Sequence, residues 1–183
     1  GRKHSLNLGL DCGDTRDTVL MNRHKMLMTA GTDVGVFIQQ VHGTDVQVLG
    51  GNPGVRDANL AGDALITAVE ARALVIQVAD CQSVLLADPR KRVVANIHSG
   101  WRGSIKNIIG RTVDVMVQQF ESRPQDMFCG IGPSLGPCCA EFIHFRREIP
   151  SKYWGYRRSR DLFDFWQLSI DQLTAAGIPE RQI

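Results

Sequence analysis

No apolar run in this sequence approaches 18 residues, so nothing in it reads as a transmembrane helix. The opening GRKHSLNLG has no apolar signal region and no initiator Met. A C-x-x-C pair is missing as well, which argues against a structural zinc ribbon. The five cysteines, Cys12, Cys81, Cys129, Cys138 and Cys139, are odd in number and irregular in spacing. That pattern argues against a secreted disulfide framework and for a reducing, cytoplasmic setting. Charge of one sign is not in excess: 21 basic residues face 19 acidic ones, a net charge of +2. Nothing global therefore points to nucleic acid or an anionic membrane as a partner. Internal repeats and low-complexity tracts are also missing.

What is present fits an ordinary globular domain. The 183 residues, 43% hydrophobic and 22% charged, suffice for a single domain over 1–183. Apolar spacing predicts helices over 17–30, from Ser104 as N-cap to 120, and over 161–176. Short β-branched runs predict strands in VFIQQV, DVQVL, ALIT, LVIQVA, SVLLAD, VVANI and MFCGIG. Residues 50–62 are rich in Gly, Pro and Asn and read as a functional lid or a plain loop. Residues 144–160 mix basic and aromatic side chains; a solvated surface with aromatic anchors beneath is preferred there over a nucleic-acid platform.

Chemistry concentrates between Leu74 and Gly103. LVIQVA runs into Asp80-Cys81, and VVANI ends at His98, so a thiol and an imidazole are expected at the ends of neighbouring strands. His42 sits at another break between strands, beside Gly43, which permits close approach. Two imidazoles and a thiolate suit zinc with an open fourth position. The same three groups suit a metal-free cysteine nucleophile with a histidine base. Both readings call for a lowered Cys81 pKa, and copper is chemically compatible too. Asp80 is a candidate to orient a histidine ring, with turn capping as its other role. Arg102, in a glycine-flanked turn entering a helix, suits an anion such as phosphate or a carboxylate partner. Ser134 reads as a turn hydroxyl. Cys12 and Cys129 read as small buried hydrophobes, and Cys138-Cys139 as thiols.

Several stretches carry a family resemblance. Gln40-Val-His42-Gly43, Ala79-Asp-Cys81, Val84-Leu-Leu-Ala-Asp-Pro89, His98-Ser-Gly-Trp-Arg-Gly103 and Gly130-Ile-Gly-Pro-Ser-Leu-Gly-Pro-Cys-Cys139 closely resemble the YfiH-like, or laccase-domain (polyphenol oxidase-like), family. Ser5-Leu-Asn-Leu-Gly9 and Asn22-Arg23 match its N-terminal part. The resemblance implies an α+β fold of mixed β-sheets with flanking helices, related to the cysteine-hydrolase-like fold of cytotoxic necrotizing factor toxins. It implies a zinc site, or a copper site in an older assignment of phenol oxidation, on His42, Cys81 and His98. Phosphorolysis of purine nucleosides and deamination of adenosine are the implied reactions, with Arg23, Arg102 and Asn7 as phosphate or substrate contacts. Amide hydrolysis by Cys81, as in peptidoglycan-precursor editing, is a second implied activity, and copper-dependent phenol oxidation ranks third. Apart from the resemblance, a non-catalytic metal- or partner-binding module with 144–160 as its interface is the alternative of a different class. Ser83, Ser99 and Ala140 depart from the family's usual Pro, Ala and Tyr. The family's N- and C-terminal segments are not evident; Gly155-Tyr-Arg-Arg158 only echoes a terminal Phe-Ser-Tyr-Arg-Arg motif.

Overall fold

Antiparallel pairing around one central strand decides which residues meet. In this computed structural model the residues described are 6–10, 12–51 and 60–183. Strands β2 (Val46–Leu49), β3 (Ala64–Thr67), β5 (Gln82–Asp88), β6 (Val93–Ser99) and β7 (Phe128–Ile131) form a sheet in the order β2-β3-β6-β5-β7. β2 runs parallel to β3, and the remaining pairs are antiparallel. A second sheet holds two parallel strands, β1 (Val34–Phe37) and β4 (Arg72–Val75). The architecture is thus α+β with mixed sheets, as expected.

Helices cover one face of the large sheet. α2 (Trp101–Ile105), α3 (Ile108–Phe120) and α5 (Phe165–Ala175) lie on the main-core side, whereas α1 (Arg16–Thr29) precedes β1 and α4 is the short turn Phe145–Glu148. Ile108, Ile109, Val113 and Met116 of α3 pack on Ile66, Val84, Leu86, Ala95 and Ile97. Alternation along a strand sends Leu65 to the opposite face, where it meets Val36, Ile38 and Leu49. Leu85, Val94 and Phe128 stay exposed on that opposite face and line a shallow concavity of about 400 Å³.

Several sequence expectations need correction. The helix expected from Ser104 is two helices. Asn107 separates them in a left-handed conformation (φ 60°), and its side chain accepts the Gly110 N–H as the cap of α3. Asn takes that conformation at low cost, so the break is encoded locally. Ser104 is instead buried inside α2, where its hydroxyl bonds the Gly100 carbonyl. The LVIQVA strand is shorter than expected: pairing in β4 stops at Val75. Cys12 is exposed, not buried. The 50–62 loop falls mostly on 52–59, outside the described residues. The 144–160 segment buries Phe145 and half-buries Tyr153 and Tyr156 against Phe163, so its aromatics anchor a basic surface as preferred.

Candidate metal centre

Register brings the chemistry together. His98 lies next to the last residue of β6, opposite Ser83, and Gln82 pairs with Ser99. Continuing that antiparallel register by one step sets Cys81 opposite Gly100. Cys81 thus precedes its strand, β5, whereas the sequence reading placed it at the end of one. On the other side of β6, Ala64 pairs with Ile97, which brings Asp63 alongside His98. His42 arrives separately, five residues beyond β1. The Gln40 side chain donates to the Gln77 carbonyl and accepts its N–H, both at 2.8 Å. That bidentate clasp extends the parallel β1–β4 pair and draws the approaches to His42 and Cys81 together.

The donor atoms of His42, Cys81 and His98 lie within 4.8 Å of one another, and this is the one such group among the described residues. The two imidazoles meet edge-on, with centroids 4.8 Å apart. Gly100 sits among them. A Cβ added there would lie 3.1 Å from His42 Cδ2, 3.2 Å from Cys81 Sγ and 3.5 Å from His98 Cε1. Its backbone is extended (φ −73°), so space and not conformation requires glycine here. His42 (φ 57°) and Asp80 (φ 78°) both hold left-handed backbone, an arrangement that costs energy and recurs at functional sites.

Asp63 orients the site, a role that the sequence reading offered to Asp80. Its side chain is fully buried. Oδ1 accepts the His42 N–H at 2.9 Å and faces His98 Nδ1 at 2.8 Å, and Oδ2 accepts the Gly43 N–H at 2.6 Å. With Nδ1–H donating to the carboxylate, the Nε2 lone pair of His98 is left for a metal. Burial lowers the His98 pKa, and the His42 charge adds to this; the Asp63 hydrogen bond and charge oppose it without reversing it. The ring is therefore neutral at pH 7. Asp80 is exposed, and its carbonyl accepts the Leu135 N–H. A sequence signal for Asp63 existed: one acid directly before the wholly buried run ALIT.

Cys81 departs from expectation. Burial, followed by the Asp80 and Asp63 carboxylates, pushes its thiol pKa up. A metal-free nucleophile needs the opposite shift. The donor set therefore fits a metal cation, which would offset those carboxylates and take the thiolate directly. Both ends of the site are pinned from below. Ser99 Oγ lies 3.0 Å from Ser104 Oγ, Gln172 donates to the Ser104 carbonyl at 2.7 Å, and Ser169 donates to Gln82 Oε1 at 2.5 Å.

A family model described as multi-copper polyphenol oxidoreductase laccase matches residues 1–183. This chain belongs to that family. Family members similar to it include the purine nucleoside phosphorylase YfiH of Shigella flexneri, 32% identical over 185 residues, covering 96% of this chain and 73% of the relative. Another is the purine nucleoside phosphorylase YlmD of Geobacillus stearothermophilus, 34% identical over 205 residues, covering 98% and 72%. Among solved structures, the hypothetical protein YfiH of Bacillus licheniformis superposes with a TM-score of 0.84 at 28% identity, over 98% of this chain and 74% of that one. The fold of the family is therefore also the fold of this chain.

The expected anion contacts occupy three surroundings. Arg102 is exposed on α2, with its guanidinium 4.2 Å from the Trp101 ring centroid. Arg23 stacks on Phe37 at 3.8 Å and donates to the Leu8 carbonyl. Asn7 shapes its own loop, bonding Gly9 and Asp14, while its carbonyl accepts from buried Asn22. Gly9 in turn lies beside Gln77, on the approach to Cys81. Ser134 accepts a hydrogen bond from Trp166 Nε1 at 2.8 Å, a structural role.

Proposed function

We propose that this protein is a zinc-dependent purine nucleoside phosphorylase that also deaminates adenosine. The observation that carries the reading is the His42–Cys81–His98 donor group, with Gly100 leaving its centre open, in a chain about one-third identical to proteins of that name. His42, Cys81 and His98 would hold the ion, three protein ligands with a fourth position free. Lewis-acid activation of water or of a polarised substrate group is the chemistry that zinc supplies at such a site. A multi-copper cluster is not proposed, because five histidines, two of them in the donor group, are too few to build one.

The chain's own residues have distinct tasks in this reading. Asp63 fixes the orientation and tautomer of His98 through Nδ1, while burial favours the neutral ring. Arg102 is the proposed phosphate contact: it is exposed, forms no ion pair among the described residues, and begins two residues after Gly100. Arg23 and Asn7 are proposed to shape the nucleoside side of the pocket. In phosphorolysis a phosphate oxygen bonds the anomeric carbon, the bond from that carbon to the base nitrogen breaks, and the base leaves with a proton. In deamination water adds at the amino-bearing ring carbon and ammonia leaves.

The test supplies inosine or adenosine with and without phosphate, and follows free base, ribose 1-phosphate and ammonia. Phosphate-dependent base release, with ammonia from adenosine alone, is the expected result. Base release indifferent to phosphate, or no turnover of any purine nucleoside, would contradict it. Arg102→Ala should raise the KM for phosphate more than that for nucleoside.

A further inference from the structure

The two sulfurs of Cys138 and Cys139 stand 3.5 Å apart, on adjacent exposed residues outside the His–Cys–His group. Their turn is fixed by its backbone: the Cys139 and Ala140 N–H groups both donate to the Gly136 carbonyl, at 3.0 and 2.9 Å. The Cys139 thiol also reaches that carbonyl at 3.6 Å. Adjacent α-carbons across a trans peptide are about 3.8 Å apart, short of the roughly 4.4 Å that a relaxed disulfide needs. The pair is therefore poorly placed to close on itself. It is well placed to share a third atom: bonds of about 2.3 Å to two sulfurs 3.5 Å apart subtend about 100°. That is close to the angle favoured by a tetrahedral or pyramidal centre.

We infer that Cys138 and Cys139 form a chelating dithiol for a thiophilic centre of the trivalent-arsenic type, separate from the metal centre. With an arsenic(III) oxide the step balances without an oxidant. Two As–S bonds form, the As–O bonds break, and the two thiol protons leave with the oxide oxygen as water. Arsenic stays trivalent and neither sulfur changes oxidation state. The site is independent of the proposed function, since neither cysteine contributes to the donor group. The turn belongs to a loop whose Leu135 N–H donates to the Asp80 carbonyl at 2.9 Å.

Phenylarsine oxide is the probe, read by intact mass on wild type, Cys12→Ser, Cys81→Ser, Cys138→Ser and Cys139→Ser. A single adduct is expected on the first three, surviving excess glutathione and released by dithiothreitol. Each of the last two should retain it about a hundredfold more weakly, the loss of the second, intramolecular bond. Both positions are exposed, so circular dichroism should show unchanged folding. A wild-type adduct washed off by glutathione would overturn the inference, as would one that persists in Cys138→Ser and Cys139→Ser.

Discussion

Asp63 has no exposed surface, and its two oxygens face the His42 N–H, the Gly43 N–H and His98 Nδ1. Hydrogen bonds to a buried carboxylate are worth about 1.5–3 kcal/mol each, and a donor left unpaired there costs about 1–3 kcal/mol. Asp63→Asn puts an N–H₂ group against one of those donors and frees the His98 ring to turn. Metal affinity should fall about 10- to 100-fold, measured by competition with a chromogenic chelator. An unchanged affinity would mean that Asp63 supports the fold alone. Gly100 gives a complementary case. Its substitution leaves every ligand in place but puts a methyl group within 3.1–3.5 Å of all three. Gly100→Ala should weaken metal binding at least about tenfold while far-UV circular dichroism stays the same.

At the scale of elements, the β5–β6 hairpin does the positioning, and its far end is held by another acid. Burial works to raise the Asp88 pKa. The Lys91 N–H, the nearby Ser122 hydroxyl, the Arg90 N–H and the Lys91 charge outweigh it and hold the carboxyl below its ordinary value. A depressed carboxyl contributes stability that is complete above its unfolded pKa, about 3.9, and lost as pH falls through the lower folded one. Wild type should therefore lose melting temperature on acidification below about pH 4 more steeply than Asp88→Asn. Parallel curves would remove Asp88 from the account. Strands, α1 and α5 were legible in the sequence because each carries its own period or cap, with Thr15 accepting from the first turn of α1. α5 begins at Phe165 and not at 161, because Asp164 caps it there. The Asn107 break was not, since the apolar stripe runs straight across it. The antiparallel register was not legible either. It depends on which strands pair, so Cys81 was read at the wrong end of a strand and Asp80 was preferred to Asp63.

Over the whole molecule, the main core on one face of the five-stranded sheet fixes β6, and β6 fixes the site through its two neighbours. His42, Cys81 and His98 were legible one by one, as reactive types at strand breaks, and as a set through the family motifs. Their mutual distance, the glycine at their centre and the raised thiol were properties of the folded chain alone. Cys129 shows the contrast: burial alone pushes its thiol up to about 12, and among the described residues it belongs to no metal-donor group, which suits inert packing. The central claim is that His42, Cys81 and His98 together hold a metal on which turnover depends. The most direct measurement is elemental analysis of wild type and Cys81→Ala, with phosphate-dependent nucleoside cleavage assayed on the same samples before and after chelation. The account predicts about one zinc per chain in wild type, loss of metal and turnover together in Cys81→Ala, and recovery of chelated wild type on adding zinc. Full turnover by wild-type protein stripped of metal would contradict it.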